Sequence, residues 1–256
     1  MPALFSIILF VDILANACAV ARFYWYGLYR VYNWFFMFLV AQFGQAFILF
    51  FLNIASPMYF WVYVCTQPVL WVLYILIVRE LYSLIFKNYQ GIYTLGRWAM
   101  YAAWTISIGV SALSLIATSR SRPRVASNLY YIETTERGVV FSLILFIPLV
   151  LFLLSRYPIN LHRNIVVHCA LYSLLFLAEA TQLLMNSLSP HGSSRAANLL
   201  IAGISAACYF GWAVLLTREG EYRDVVVHPR SNPAEEDRLL QQLNAMNQTL
   251  LQVIRK

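Results

Sequence analysis

Asp12 and Glu179 are carboxylic acids set inside long apolar runs, and carboxamides accompany them. Asn16 follows Asp12 by one turn, Gln42 and Gln45 lie three residues apart, Gln67 sits in a third run, and Gln182 follows Glu179 by three. Residues three or four apart share a helix face, so each pair points one way. An ionisable group at membrane depth is a functional hypothesis by default. No Lys or Arg lies inside any of these runs, so neither acid has a fixed cationic partner. Charging an unpaired carboxylate in hydrocarbon costs at least about 2.5–3.5 kcal/mol. Three arrangements avoid that cost: acids protonated and bonded to the amides, acids facing a wet cavity, or acids holding a cation, a proton in transit or a basic ligand. The plainer alternative is a polar network joining helices, at about 0.6 kcal/mol per contact. Asp12, Asn16, Gln42, Gln45, Gln67, Glu179 and Gln182 are the candidate ligand or proton residues under either reading.

Other chemistries lack their residues. No His-Glu-x-x-His pair is present for a zinc protease, and no phosphate loop or nucleophile elbow. His162 and His168 fall near one end of a late run, His191 in a loop and His228 in the tail. These positions predict interfacial or loop histidines, without the facing pair that a haem between helices needs. Lys87 and Lys256 lie outside the runs, which excludes a retinal Schiff base. Cys18, Cys65, Cys169 and Cys208 have no metal-ligand spacing and read as packing residues. No catalytic residue, metal or cofactor is expected.

The elements that must position these residues are membrane helices. Hydrophobic residues make up 61% of the chain and charged residues 11%, against about 45–50% and 25% in soluble domains. Seven runs are long enough to span, near 3–21, 32–52, 58–78, 98–117, 138–155, 165–186 and 197–217. The expected fold is an all-α integral membrane protein: a seven-helix bundle over 1–218 and a tail over 219–256. Asp12 and the absence of a basic leader make the first run a retained helix rather than a signal peptide. With the N-terminus outside, 13 of the 18 basic residues fall on the cytoplasmic side, as the positive-inside bias requires. Arg120, Arg122 and Arg124 run against it. The net charge of +7 then reports topology and contact with lipid heads, with no folded basic face for nucleic acid.

The first three runs are echoed by the last three. Phe5-Ser6-Ile7-Ile8-Leu9-Phe10 matches Phe141-Ser142-Leu143-Ile144-Leu145-Phe146, Gln42 and Gln45 match Glu179 and Gln182, and Arg79-Glu80 matches Arg218-Glu219. The pattern predicts a 3+1+3 parallel repeat, an arrangement that places a site where the halves meet. Pro68 and Pro148 interrupt the third and fifth runs. In the tail, 219–230 reads as polar and extended. Asn232, Pro233 and Glu235 then have the pattern of a helix start. Leu239, Leu243, Met246, Leu250 and Val253 repeat at 4-3-4-3, a seam for an amphipathic cytoplasmic helix over 233–256. It serves either oligomerisation or docking on the bundle or the lipid surface.

Leu154-Ser155-Arg156-Tyr157 and the tail run from Arg238 to Asn247 resemble a family of bacterial seven-helix integral membrane proteins with no known activity. That resemblance implies the bacterial cytoplasmic membrane and transfers no site residue. The 3+1+3 order is similar to that of SWEET and PQ-loop transporters, but the single Gln67-Pro68 is inverted relative to their paired Pro-Gln motif. Three functions fit. One is a non-enzymatic sensor or assembly protein that binds a small or lipidic ligand, or a partner helix, and reports through its tail. Another is a small proton-linked transporter using Asp12 and Glu179. The third is a subunit of a larger membrane complex.

Overall fold

Lipid offers no partner to a free backbone N–H or C=O, so an apolar chain crosses it as helix. A computed structural model describes residues 2–53, 56–86, 160–188, 194–222 and 224–226. It also describes short helical stretches at 93–94, 97–98, 101–102, 105, 241–242, 244–245, 247–249 and 252. Five long helices appear among the described residues: α1 (Pro2–Trp25), α2 (Asn33–Phe51), α3 (Pro57–Ile85), α4 (Arg163–Leu188) and α5 (Ser194–Leu215). The last two are the sixth and seventh apolar runs. Four of the helices are long and apolar enough to cross a membrane: Ile7–Trp25, Asn33–Phe51, Pro57–Ile85 and Arg163–Gln182. The chain is a membrane protein whose described residues are almost wholly helical. Most of the linking fourth run, the fifth run with Pro148, and the seam residues Leu239, Leu243, Met246, Leu250 and Val253 lie outside the described residues.

Local chemistry accounts for the helix ends. Gly27 takes φ +68 just after α1, a left-handed conformation that costs glycine little. It reverses the chain into a 3-10 turn, Leu28–Arg30. Ser56 caps α3, its hydroxyl accepting from Met58 N at 3.2 Å, with Pro57 in the first turn. Pro68 lies on the exposed side of α3, and the helix continues past it to Ile85. The start of α2 is capped from outside. Its N-cap residue, Tyr32, makes no capping bond. Glu80 of α3 instead accepts from Trp34 N at 3.2 Å and Phe35 N at 3.3 Å. A carboxylate on the free N–H groups of a first turn answers both the orphan donors and the helix dipole.

The helices form a closed circuit. α1 packs against α2 and α5, α2 against α3, α5 against α4, and α3 touches α4. The buried interior is strongly aromatic, with Phe23, Phe35, Phe38, Tyr172, Phe176, Tyr209 and Trp212. Phe10, Leu14, Phe47, Val69, Val72, Leu177 and Phe210 are exposed, as lipid contact requires. Cys18 and Cys65 are also exposed and only Cys169 and Cys208 of the four are buried, which corrects the expectation that all four pack inside.

The C-terminal ends of α1, α3 and α5 share one end of the bundle with the N-terminal ends of α2 and α4. That junction end carries two short strands, Asn160–His162 and Asp224–Val226, paired antiparallel with Leu161 opposite Val225. The segment after α5 was expected to be extended throughout. It begins instead as a 3-10 turn, Glu219–Glu221, because the residues around it are held by side chains of other elements. The described positions from 241 onward are helical, and all but Asn247 are exposed.

Glu80→Ala should lower the stability of the detergent-solubilised protein by about 1 kcal/mol, the usual worth of a helix cap. Arg79→Ala, at the exposed neighbouring position, should leave it unchanged. Equal effects in a thermal unfolding assay would show that Glu80 does not cap α2.

Candidate functional site

The two intramembrane acids each meet a hydroxyl. Asp12 is buried on α1, and Ser205 Oγ of α5 donates to its Oδ1 at 2.9 Å. Glu179 is half-buried on α4 and accepts from Tyr74 Oη of α3 at 2.9 Å. Tyr209 is buried on α5, on the same face as Ser205 and four residues from it. The bundle thus holds two separate acid–hydroxyl contacts, Asp12 with Ser205 between α1 and α5 and Glu179 with Tyr74 between α3 and α4.

The amides go elsewhere. Gln45 Nε2 donates to Thr66 Oγ1 at 2.7 Å and to Gln67 Oε1 at 3.2 Å, tying α2 to α3. Thr66 in turn gives its own proton to Val62 O at 2.7 Å. Asn16 is buried against α2, where its amide can donate to Leu39 O and accept from Phe43 N, both at 3.3 Å. Gln182 is half-buried one turn from Glu179. Gln42 leaves its buried Oε1 without a partner among the described residues. The seven predicted residues therefore divide among several helix contacts, and each of the two acids pairs with a hydroxyl of a different helix.

A second cluster, at the junction end, escaped the sequence reading. Glu221 Oε1 accepts from Tyr32 Oη at 2.7 Å and from Asn164 Nδ2 at 2.6 Å. The same Asn164 nitrogen donates to Thr217 O at 2.8 Å. Asn164 is completely buried, and it presses on Gly220 so closely that a Cβ there would overlap its Oδ1. Burial, then the Glu221 carboxylate beside it, push the Tyr32 phenol far above its ordinary value, so Tyr32 stays a donor. Asn164 and Tyr32 flank apolar runs, where polar and aromatic residues are routine. Nothing local in the sequence marked them.

His168 lies one turn from Asn164 and is fully buried, which corrects its reading as interfacial or loop. It sits among rings from four helices or their ends: Tyr32 at 4.5 Å, Phe35 at 4.7 Å, Tyr172 at 6.0 Å, Phe23 at 6.1 Å and Trp212 at 6.4 Å between centroids. Neither imidazole nitrogen finds a hydrogen-bond partner among the described residues, nor do Tyr172 Oη and Trp212 Nε1. A buried polar atom left unpaired costs about 1–3 kcal/mol, so the box is held by ring packing against that cost. Among the described residues, no group of three His, Cys, Asp or Glu could hold a metal ion.

No protein-family model, curated protein or solved structure matches the chain. Its residues therefore take their roles from geometry alone.

His168→Phe should raise thermal stability, because a ring of similar size removes two unpaired nitrogens from an apolar box. The expected gain is about 1–2 kcal/mol. A clear loss would show that the imidazole has a polar partner. Tyr32 gives a pH test. Its folded-state pKa is raised, so its contribution is complete below about pH 10, the unfolded value, and is lost as pH climbs beyond it. Tyr32→Phe should make the alkaline decline in melting temperature shallower; an unchanged slope would place Tyr32 outside the protected interior.

Proposed function

We propose that the protein is a seven-span, non-enzymatic sensor or assembly protein of a bacterial cytoplasmic membrane. Its N-terminus lies outside and its C-terminus inside. The bundle receives a small or lipidic ligand, or a partner helix, and the tail over 219–256 engages a cytoplasmic partner or a second copy. The span count is supported by parity. α3 ends at the same end of the bundle at which α4 begins, so the chain between them crosses an even number of times. The two apolar runs near 98–117 and 138–155 supply two crossings. The order of runs then follows the 3+1+3 pattern.

The observation that carries the functional reading is the junction at Glu221. A tail on a free linker would be indifferent to how the helices stand. Here the segment leaving α5 is bonded to Tyr32, at the start of α2, and to Asn164, at the start of α4. It also pairs as a strand with the residues preceding α4. A shift of α2 or α4 therefore pulls on the tail. The Asp12–Ser205 contact, where α1 meets the helix that leads into the tail, is the place where a ligand would bias that shift.

A second reading, proton-linked transport, draws on the two intramembrane acids, each hydrogen-bonded to a hydroxyl of a neighbouring helix. Asp12→Asn keeps an acceptor for Ser205 while removing the titratable group.

Deleting 232–256 should abolish self-association or partner recruitment while the bundle stays folded. Glu221→Ala should weaken the same property with the tail intact. Light scattering and copurification of the full chain and both variants read this. An unchanged oligomer and partner set after the deletion would overturn the sensor reading. Proton uptake into proteoliposomes that Asp12→Asn eliminates would replace it with the transporter.

A further inference from the structure

A cleft of about 710 Å³ opens at the junction end, between the turn joining α1 to α2 and the turn after α5. Its size is that of a small-molecule site. Its walls include Tyr24, Trp25, Arg30, Arg218, Glu221 and Tyr222. The first wall begins where α1 leaves its apolar run, so the cleft lies at the level of the lipid head groups. Tyr24, Trp25 and Tyr222 are 64%, 83% and 80% exposed there, the placement expected of amphipathic rings at that depth.

The charge in the cleft is unevenly committed. Arg30 lies beside its neighbour's ring, 5.7 Å from the Tyr29 centroid, and its Nε donates to Tyr29 Oη at 3.3 Å. That contact steadies the side chain and leaves both terminal nitrogens of the fork without a partner among the described residues. The Arg218 side chain is exposed and has no hydrogen bond or ion pair among the described residues. Glu221, the acid in the wall, is turned inward, with Oε1 taken by Tyr32 and Asn164. Two guanidinium forks are therefore offered outward against one acid already engaged. Gly27 adds room: an atom in the Cβ position would meet nothing within 4 Å.

We infer that this cleft binds the phosphodiester head group of an anionic phospholipid from the adjoining leaflet. Arg30 and Arg218 take the phosphate oxygens, as guanidinium forks do in planar, paired geometry. Tyr24 and Trp25 cover the glycerol and the first methylenes. The two arginines outnumber Glu221, which favours a head group with net negative charge over a zwitterion. The site is separate from the Asp12–Ser205 contact and independent of the sensor reading.

Native mass spectrometry of the full chain in a neutral detergent tests this. Phosphatidylglycerol and phosphatidylcholine would be added in turn at equal concentration. One phosphatidylglycerol should be retained at least about tenfold more strongly than phosphatidylcholine. Arg30→Gln with Arg218→Gln should reduce that retention about thirtyfold, since each arginine near an anionic head group gives a factor of roughly five. Arg79→Gln with Arg97→Gln, the same charge loss elsewhere, should leave it within about twofold. Equal retention of the two lipids would overturn the inference. So would equal losses from both double variants, which would mean attraction to the whole surface. Displacement of the lipid by millimolar inorganic phosphate would make this a free-phosphate site and overturn the lipid assignment. Both arginine pairs lie at partly or fully exposed positions, and an unchanged melting temperature checks that each variant is folded.

Discussion

One carboxylate oxygen organises the junction end. Glu221 Oε1 takes protons from Tyr32 and from Asn164, and so joins the start of α2, the start of α4 and the chain leaving α5. Asn164 must be buried to reach both Glu221 and the Thr217 carbonyl. Its burial leaves no space at position 220 for more than glycine. Tyr32, at the N-cap of α2, has no short polar side chain to cap its helix, and Glu80 of α3 supplies that cap. Four helices and the tail are thus tied through two acids at one end of the bundle.

Deeper in the bundle the polar groups are distributed differently. The α1–α5 contact has Asp12 with Ser205, and α1–α2 has Asn16 against the α2 backbone. The α2–α3 contact has Gln45 with Thr66 and Gln67, and α3–α4 has Tyr74 with Glu179. Lipid gives helices no hydrophobic reason to choose one partner face over another, so small residues and polar pairs make the choice. Most of the intramembrane amides have this bland role.

Much of this was legible beforehand. Apolar length alone located α1, α2 and α3, because the backbone in lipid has no alternative to helix. Asp12, Gln45 and Gln67 were visible as polar residues where polarity is costly. Their partners were not, since Ser205 looked like one more small residue in Ala202-Gly203-Ile204-Ser205-Ala206-Ala207, and Tyr74 looked like an ordinary apolar-run aromatic. His168 was misplaced because nearness to a span's end suggests water. Only the rings converging from several helices, distant in sequence, close it off. Glu80 was noticed as a repeat marker, and its reach across to α2 depends on packing that no local pattern encodes.

The central claim is that the tail's first turn is locked to the bundle through Glu221. Electron–electron distance measurement between spin labels at Val31→Cys and Tyr222→Cys, both exposed, tests it most directly. The background would replace the exposed Cys18 and Cys65 with serine. The account predicts a single narrow distance in the otherwise native chain, broadening when Glu221 is changed to Ala. A distribution already broad before that change, or one unaffected by it, would contradict the lock.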